Sequence, residues 1–273
     1  MRKVEAALIT NIIASMCQKA NCVLPEDVLN GIKSAPQNEI LNEILENAAI
    51  AEKENIPLCQ DTGTANFFVK LGAGVQIENG NIYTAINEGV KKGYGENYLR
   101  NSIVADPLNR KNTLDNTPAN IYMELTLGDK IEVDFLPKGG GSENASSLAM
   151  LEPAAGWQGV KNFVLSCIKE KAANACAPLI VGVGIGGDFA SVGLAAKKTL
   201  LRDIGSKSHN NFYNEKEREL LADINALNIG PMGLGGGTTA LAVFIDASPC
   251  HIASLPVAVS VQCHSARKAK III

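Results

Sequence analysis

Apolar residues recur at three- and four-residue spacing through the first 55 positions: Ile9, Ile12, Ile13 and Met16, then Ile40, Ile44, Ala48 and Ala51. That period is the helical one, so the N-terminal region reads as helices with one face turned to a core. Pro25-Glu26-Asp27 places a proline and two acids where a first helical turn favours them. Residues 64–71 read as a strand, followed by a glycine-punctuated turn and a helix over 83–99. Residues 121–127 and 131–136 both alternate at period two, and Gly128-Asp129 between them predicts a hairpin.

Residues 157–175 carry an apolar stripe at Val160, Phe163, Val164 and Ile168, which predicts another helix. Residues 178–183 form a short continuous apolar run, read as a buried strand opening through Gly184-Ile185-Gly186-Gly187 into a helix over 190–201. A further helix over 215–227 and strands over 239–245 and 255–261 complete the pattern. No internal repeat or low-complexity linker shows. The expected fold class is α/β: mixed helices and sheets in one compact unit, with room for two lobes and a helical N-terminus.

Composition narrows the function. With 46% hydrophobic and 19% charged residues and a net charge of −3, the 273-residue chain has ample core and no basic surface for nucleic acid. The start, Met1-Arg2-Lys3-Val4-Glu5, lacks the apolar region of a signal peptide. No apolar stretch is expected to reach the roughly 18 residues that span a bilayer. Seven cysteines without an export signal imply reduced thiols and a cytoplasmic protein.

The cysteines carry the chemistry. Cys59 stands in Pro57-Leu58-Cys59-Gln60-Asp61-Thr62-Gly63, Cys176 in Asn174-Ala175-Cys176-Ala177-Pro178, and Cys263 in Val261-Gln262-Cys263-His264-Ser265. None belongs to a C-x-x-C pair, which excludes the common zinc and thioredoxin signatures. Three thiolates brought together by the fold would suit an iron–sulfur cluster with one iron left open, and an open iron binds substrate. A turn at Thr62-Gly63 would project Cys59, Gln60 and Asp61 from a loop; a buried cysteine beside a turn is the plainer alternative. Cys17, Cys22 and Cys167 lie on apolar helix faces or ends and read as small buried hydrophobes.

Other clusters are weaker. Lys138-Gly139-Gly140-Gly141-Ser142 follows a strand and could offer backbone N–H groups to an anion, with Lys138 adding charge. The run Gly182-Val183-Gly184-Ile185-Gly186-Gly187 invites a dinucleotide-binding reading. Its spacing does not fit, and close strand–helix packing explains those glycines more simply. Cys250, His251, Cys263 and His264 crowd near the C-terminus, so a zinc site stays open as an alternative, although the spacing matches no standard finger.

Taken together, these segments resemble the α region of the class I, iron–sulfur-dependent fumarases and the related L-tartrate dehydratases. The resemblance rests on Cys59-Gln60-Asp61-Thr62-Gly63-Thr64, Tyr98-Leu99-Arg100, Lys138-Gly139-Gly140-Gly141-Ser142, Cys176-Ala177-Pro178 and Gly233-Leu234-Gly235-Gly236. His251-Ile252-Ala253-Ser254 and Cys263-His264-Ser265-Ala266-Arg267 complete it, in the same order over almost the whole chain. It implies a [4Fe–4S] cluster held by Cys59, Cys176 and Cys263, its fourth iron open to substrate. Cys250 departs from the pattern, where the fused members have Arg, and is taken as a neighbour and not a ligand.

The resemblance further implies one catalytic domain over residues 1–273, a hydro-lyase adding water to a C4 dicarboxylate. Gln60, Arg100, Lys138, Gly139, Gly140 and Gly141 are then expected to bind substrate. Asp61 and His251 would handle protons, the main base coming from a β region. Because the chain stops at Ile271-Ile272-Ile273, the β region is expected on a separate polypeptide in an α₂β₂ assembly. Fumarate giving (S)-malate is preferred over L(+)-tartrate giving oxaloacetate, on prevalence. A non-catalytic iron–sulfur or zinc sensor would need the cysteines but not Asp61, Lys138 or Arg100.

Overall fold

The computed structural model describes all residues from Met1 to Ile273. From the N-terminus the chain forms β1 (Arg2–Glu5), α1 (Ala6–Cys22), α2 (Glu26–Ser34) and α3 (Glu39–Glu54). There follow β2 (Thr64–Gly72), β3 (Val75–Glu78), α4 (Ile82–Glu96), β4 (Asn120–Thr126) and β5 (Ile131–Lys138). Next come α5 (Gly140–Asn144), β6 (Ser147–Leu151), α6 (Gly156–Lys171), β7 (Leu179–Gly187), α7 (Phe189–Thr199) and α8 (Asn211–Ala226). The last strands are β8 (Ala240–Cys250), β9 (Leu255–Gln262) and β10 (Ala269–Ile272). The mixed α/β class holds, and the chain divides into two compact units. Unit one is Met1–Pro25, Asn47–Gly140 and Arg267–Ile273; unit two is Glu26–Glu46 and Gly141–Ala266.

Unit one is built on a sheet of order β10-β5-β2-β4. Alternate residues Ala65, Phe67 and Val69 of β2 and Ile131, Val133 and Phe135 of β5 share one core with Ile9, Ile13 and Cys17 of α1 and Ile86 and Val90 of α4. The predicted hairpin is not one. β4 pairs parallel with β2, β5 pairs antiparallel with β2, and β2 lies between them. A tight turn bridges one strand spacing of about 4.8 Å, whereas this connection crosses two. It is held over the end of β2 by the Gly72 and Gly74 N–H groups, which donate to the Lys130 and Gly128 carbonyls at 2.9 and 2.7 Å.

The N-terminal region is helical as expected, in α1, α2 and α3, and the one addition is Arg2–Glu5, a strand parallel to β3. Four residues are too few for a period to show, and only Val4 turns inward. By length and composition Ala6–Ser34 passes for a membrane span, which the sequence reading did not expect. It is two helices, α1 and α2, and Ile9, Ile13 and Cys17 are fully buried core residues.

Unit two has a sheet of order β6-β9-β7-β8, with β7 parallel to β8 and antiparallel to β9, the arrangement that β2, β4 and β5 show in unit one. Val181 and Val183 of β7 and Val257, Val259 and Val261 of β9 pack with Val160 and Val164 of α6 and Leu220 and Ile224 of α8. The other face is where the glycines of β7 act. A Cβ on Gly182 or Gly184 would lie 2.3 Å from the Ala196 or Val192 carbonyl oxygen, so α7 rides directly on the strand backbone. Asp188 caps α7 by accepting the Ala190 and Ser191 N–H groups at 3.0 and 2.7 Å. Those are donors a bound phosphate would need, and the dinucleotide reading falls with them.

Candidate functional site

The loop after α3 organises unit one's chemistry. Gly63 has φ +78°, and a Cβ there would lie 2.6 Å from the Lys138 carbonyl carbon, so only glycine fits the turn. The buried Tyr94 hydroxyl shares its one proton between the Thr62 and Gly63 carbonyls, 3.2 and 3.1 Å away, and Asn116 donates to the Gly63 carbonyl at 3.1 Å. Burial pushes the Tyr94 phenol far above its ordinary pKa, so it stays a neutral donor. Cys59 and Asp61 are half-buried on this loop and Gln60 is exposed.

Two further candidates are tied to the same loop. The Thr62 hydroxyl accepts the Arg100 N–H at 2.9 Å and lies 3.3 Å from the Arg100 carbonyl, leaving the Arg100 side chain exposed beside it. Asp61 accepts the Gly63 N–H on Oδ1 and the Gly140 N–H on Oδ2, at 3.0 and 2.6 Å. The anion nest expected at residues 139–141 is therefore partly filled by the protein's own carboxylate, and none of those glycines has a left-handed φ. Gly139 serves by being small, because a Cβ there would stand 3.1 Å from Asp61 Oδ2. Lys138, expected to bind substrate, is wholly enclosed.

In unit two, Cys176 and Cys263 come together. The His264 N–H donates to the Cys176 carbonyl at 3.1 Å, joining the loop before β7 to the loop after β9. Cys176 takes a left-handed conformation, φ 53°, uncommon for a side-chain-bearing residue and a mark of functional loops. The C-terminal cluster does not assemble. Cys250 ends β8 and His251 follows it, at the end of the sheet where β9 begins, whereas Cys263 and His264 follow β9. The eight residues of β9 hold the two pairs roughly 25 Å apart. No shared zinc site is possible there, and no group of three His, Cys, Asp or Glu side chains converges on a single ion anywhere in the chain. His251 does not join Cys176 and Cys263 within one chain.

The seven thiols are free. Burial pushes those of Cys17, Cys22 and Cys167 up, so these three remain protonated hydrophobes as expected. Cys59, Cys176 and Cys263 are the half-buried ones, on loops in all three cases. A cluster spreads its thiolates over different irons, so it does not need the tight convergence that a single ion demands. A second observation fits an anionic centre: Arg267, 2% exposed in unit one, has a buried Nε–H with no acceptor. Sequence reasoning missed the bracing residues Asn21, Thr62, Tyr94 and Asn116. Asn21 alone left a signal, as a polar residue one turn beyond Cys17 on an apolar helix face.

The family described as fumarate hydratase (Fumerase) matches residues 10–272. Over 274 residues the chain is 43% identical to a Methanocaldococcus jannaschii protein provisionally named L(+)-tartrate dehydratase subunit alpha, covering 96% of each. An Escherichia coli O157:H7 protein named L(+)-tartrate dehydratase subunit alpha is 31% identical over 275 residues, covering 97% of this chain and 90% of its own. The E. coli K12 protein of the same name is 30% identical over 275 residues. A mixed α/β protein with loop-borne thiols, carboxylate and arginine, matched in this way, is a hydro-lyase. The chain belongs to the fumarate hydratase (Fumerase) family.

Proposed function

We propose that this chain is the α subunit of an iron–sulfur hydro-lyase that reversibly hydrates a C4 dicarboxylate, with fumarate and (S)-malate as the first substrate pair. The observation that carries it is the Cys59 loop, where Thr62 and Asp61 fix Arg100 and the glycine run beside a half-buried thiol. Cys59, Cys176 and Cys263 would hold a [4Fe–4S] cluster. Bound there, it supplies a Lewis acid that makes hydroxide a better leaving group.

The chain's own groups do the rest. Taking a proton from the carbon next to a carboxylate builds negative charge on that carboxylate, and the Arg100 guanidinium and Gln60 amide, both exposed, are the donors that stabilise it. The Asp61 carboxylate is fixed by two N–H donors, ready to take or return a proton without swinging. Gly140 and Gly141 are exposed at the head of α5 and complete the binding surface, while Lys138 and Gly139 shape it from beneath. His251 has no part in this set within one chain.

The relatives' names supply the second reading, L(+)-tartrate giving oxaloacetate, and the words "subunit alpha" in them support a separate β subunit in an α₂β₂ assembly. Anaerobic co-expression with a β-type chain, then turnover of fumarate against L(+)-tartrate, tests both. Turnover of fumarate that vanishes in Cys263→Ser is the expected result. Turnover of tartrate alone establishes the second reading, and a loaded complex that turns over neither favours a sensor.

A further inference from the structure

Arg267 is the buried arginine of this chain, and its guanidinium is only partly satisfied. Nη1–H donates to Asn21 Oδ1 at 2.8 Å. Asn21, itself fully buried, donates to the Cys17 carbonyl at 2.8 Å. Its own carbonyl accepts the Leu58 N–H at 2.8 Å, one residue ahead of Cys59. Nη2 lies 3.7 Å from the point a Gly139 Cβ would occupy. Nε donates to nothing. Along the chain Arg267 follows Cys263 by four residues.

Enclosing a guanidinium is unfavourable, and leaving one of its donors unpaired adds to that cost. A core anchor for Asn21 needs one donor, not a planar fork of five. The spare donor sits in the residue that braces the Cys59 loop from below. An unpaired buried N–H of this kind calls for an acceptor that the polypeptide does not supply. The thiolates and sulfides of an iron–sulfur centre are anionic acceptors, and hydrogen bonds to them set the cluster's potential and retention.

We propose that Arg267 is a positioning residue for the iron–sulfur centre: Nη1, through Asn21, fixes the Cys59 loop, and Nε–H donates to a sulfur of the bound cluster. The inference rests on the cluster reading above and adds a role that reading does not require.

The wild-type 273-residue chain, Arg267→Lys and Arg267→Gln are reconstituted anaerobically with iron and sulfide. Four quantities are then compared: iron and sulfide per chain, melting of the unloaded chain, iron release to a chelator, and the cluster's reduction potential. Lysine keeps the charge and can donate to Asn21, and glutamine keeps a neutral donor. Each offers its N–H groups from a single nitrogen, so neither reproduces the separate Nη1 and Nε directions of the guanidinium fork. Both variants are expected to load, to melt unloaded near the wild type, and to release iron roughly 10- to 100-fold faster with a shifted potential. Variants that load and release iron at the wild-type rate with an unchanged potential would overturn the proposal, leaving Arg267 a fold anchor. So would a large fall in unloaded melting accompanied by normal release. A wild-type chain that takes up no cluster sinks the cluster reading itself, an outcome read directly from its iron and sulfide content.

Discussion

Asp61 and Gly140, 79 residues apart, are joined by a 2.6 Å hydrogen bond in which the glycine N–H donates to Oδ2. Oδ1 of the same carboxylate accepts the Gly63 N–H at 3.0 Å. Asp61 therefore closes its own turn and anchors the glycine run at once. In Asp61→Asn only one amide oxygen is available for two N–H donors, and the NH₂ group must face the other. The expected outcome is a loss of about 1–3 kcal/mol of unfolding free energy together with turnover, measured by denaturant titration beside the activity assay. Lost turnover at full stability would mean that the carboxylate acts on substrate alone.

Thr62 gives a separable test. Its hydroxyl, 1% exposed, accepts the Arg100 N–H, and valine has the same shape without the oxygen. Thr62→Val leaves that N–H without its partner and frees the Arg100 segment. A stability cost of about 1–3 kcal/mol is expected, with KM for the substrate rising more than kcat falls. Thr62→Ser should restore both. Equal losses in kcat and kcat/KM with KM unchanged would instead place Arg100 at the transition state only.

How much of this was legible in the sequence depended on whether a local pattern had a local cause. α1 was legible because Ile9, Ile13 and Cys17 meet one core along one helix face. Gly128-Asp129 correctly marked a chain reversal, but no turn signal tells whether a third strand lies between the two that reverse. β6 and β10 are short strands at the sheet edges, where a few residues alternate without the apolar density of β7. The C-terminal cluster misled for a geometric reason. Residues 12 apart in sequence look adjacent, yet an intervening extended strand carries them as far apart as the chain allows. The cysteine loops were the converse, since Cys176 and Cys263 are distant in sequence and one hydrogen bond apart in space.

Glu219 predicts an acid limb of stability unrelated to the site. Its carboxylate accepts from Lys161 and Lys216, both at 2.8 Å, and from the Trp157 indole at 3.0 Å. These bonds, Lys161's foremost, lower its pKa from the usual 4.5 to about 2. The folded state holds this proton less tightly than the unfolded one. The stabilisation is thus complete above about pH 5 and is lost as pH falls toward 2. With the carboxylate about a third exposed, solvent screening keeps the contribution modest. Glu219→Gln should be less stable than wild type at about pH 6 and nearly equal to it at about pH 2. A constant gap across that range would refute the assignment.

The length of β9 sets Cys263 apart from Cys250. Cys263 follows the strand beside Cys176, whereas Cys250 lies at the far end, where its thiol contacts the Ser254 carbonyl at 3.4 Å. Cys263→Ser should abolish iron retention, and Cys250→Ser should leave iron and sulfide per chain at the wild-type level. His251 shares the far end, with Nδ1 accepting the Ala253 N–H at 3.1 Å and its neutral form therefore protonated on Nε2. His251→Asn is expected to load normally. If it loads fully yet loses turnover, His251 must work in a site other than its own chain's, and mixing it with Cys263→Ser in one assembly should recover part of the activity. If Cys250→Ser sheds iron, the roughly 25 Å separation along β9 is not maintained in the loaded protein.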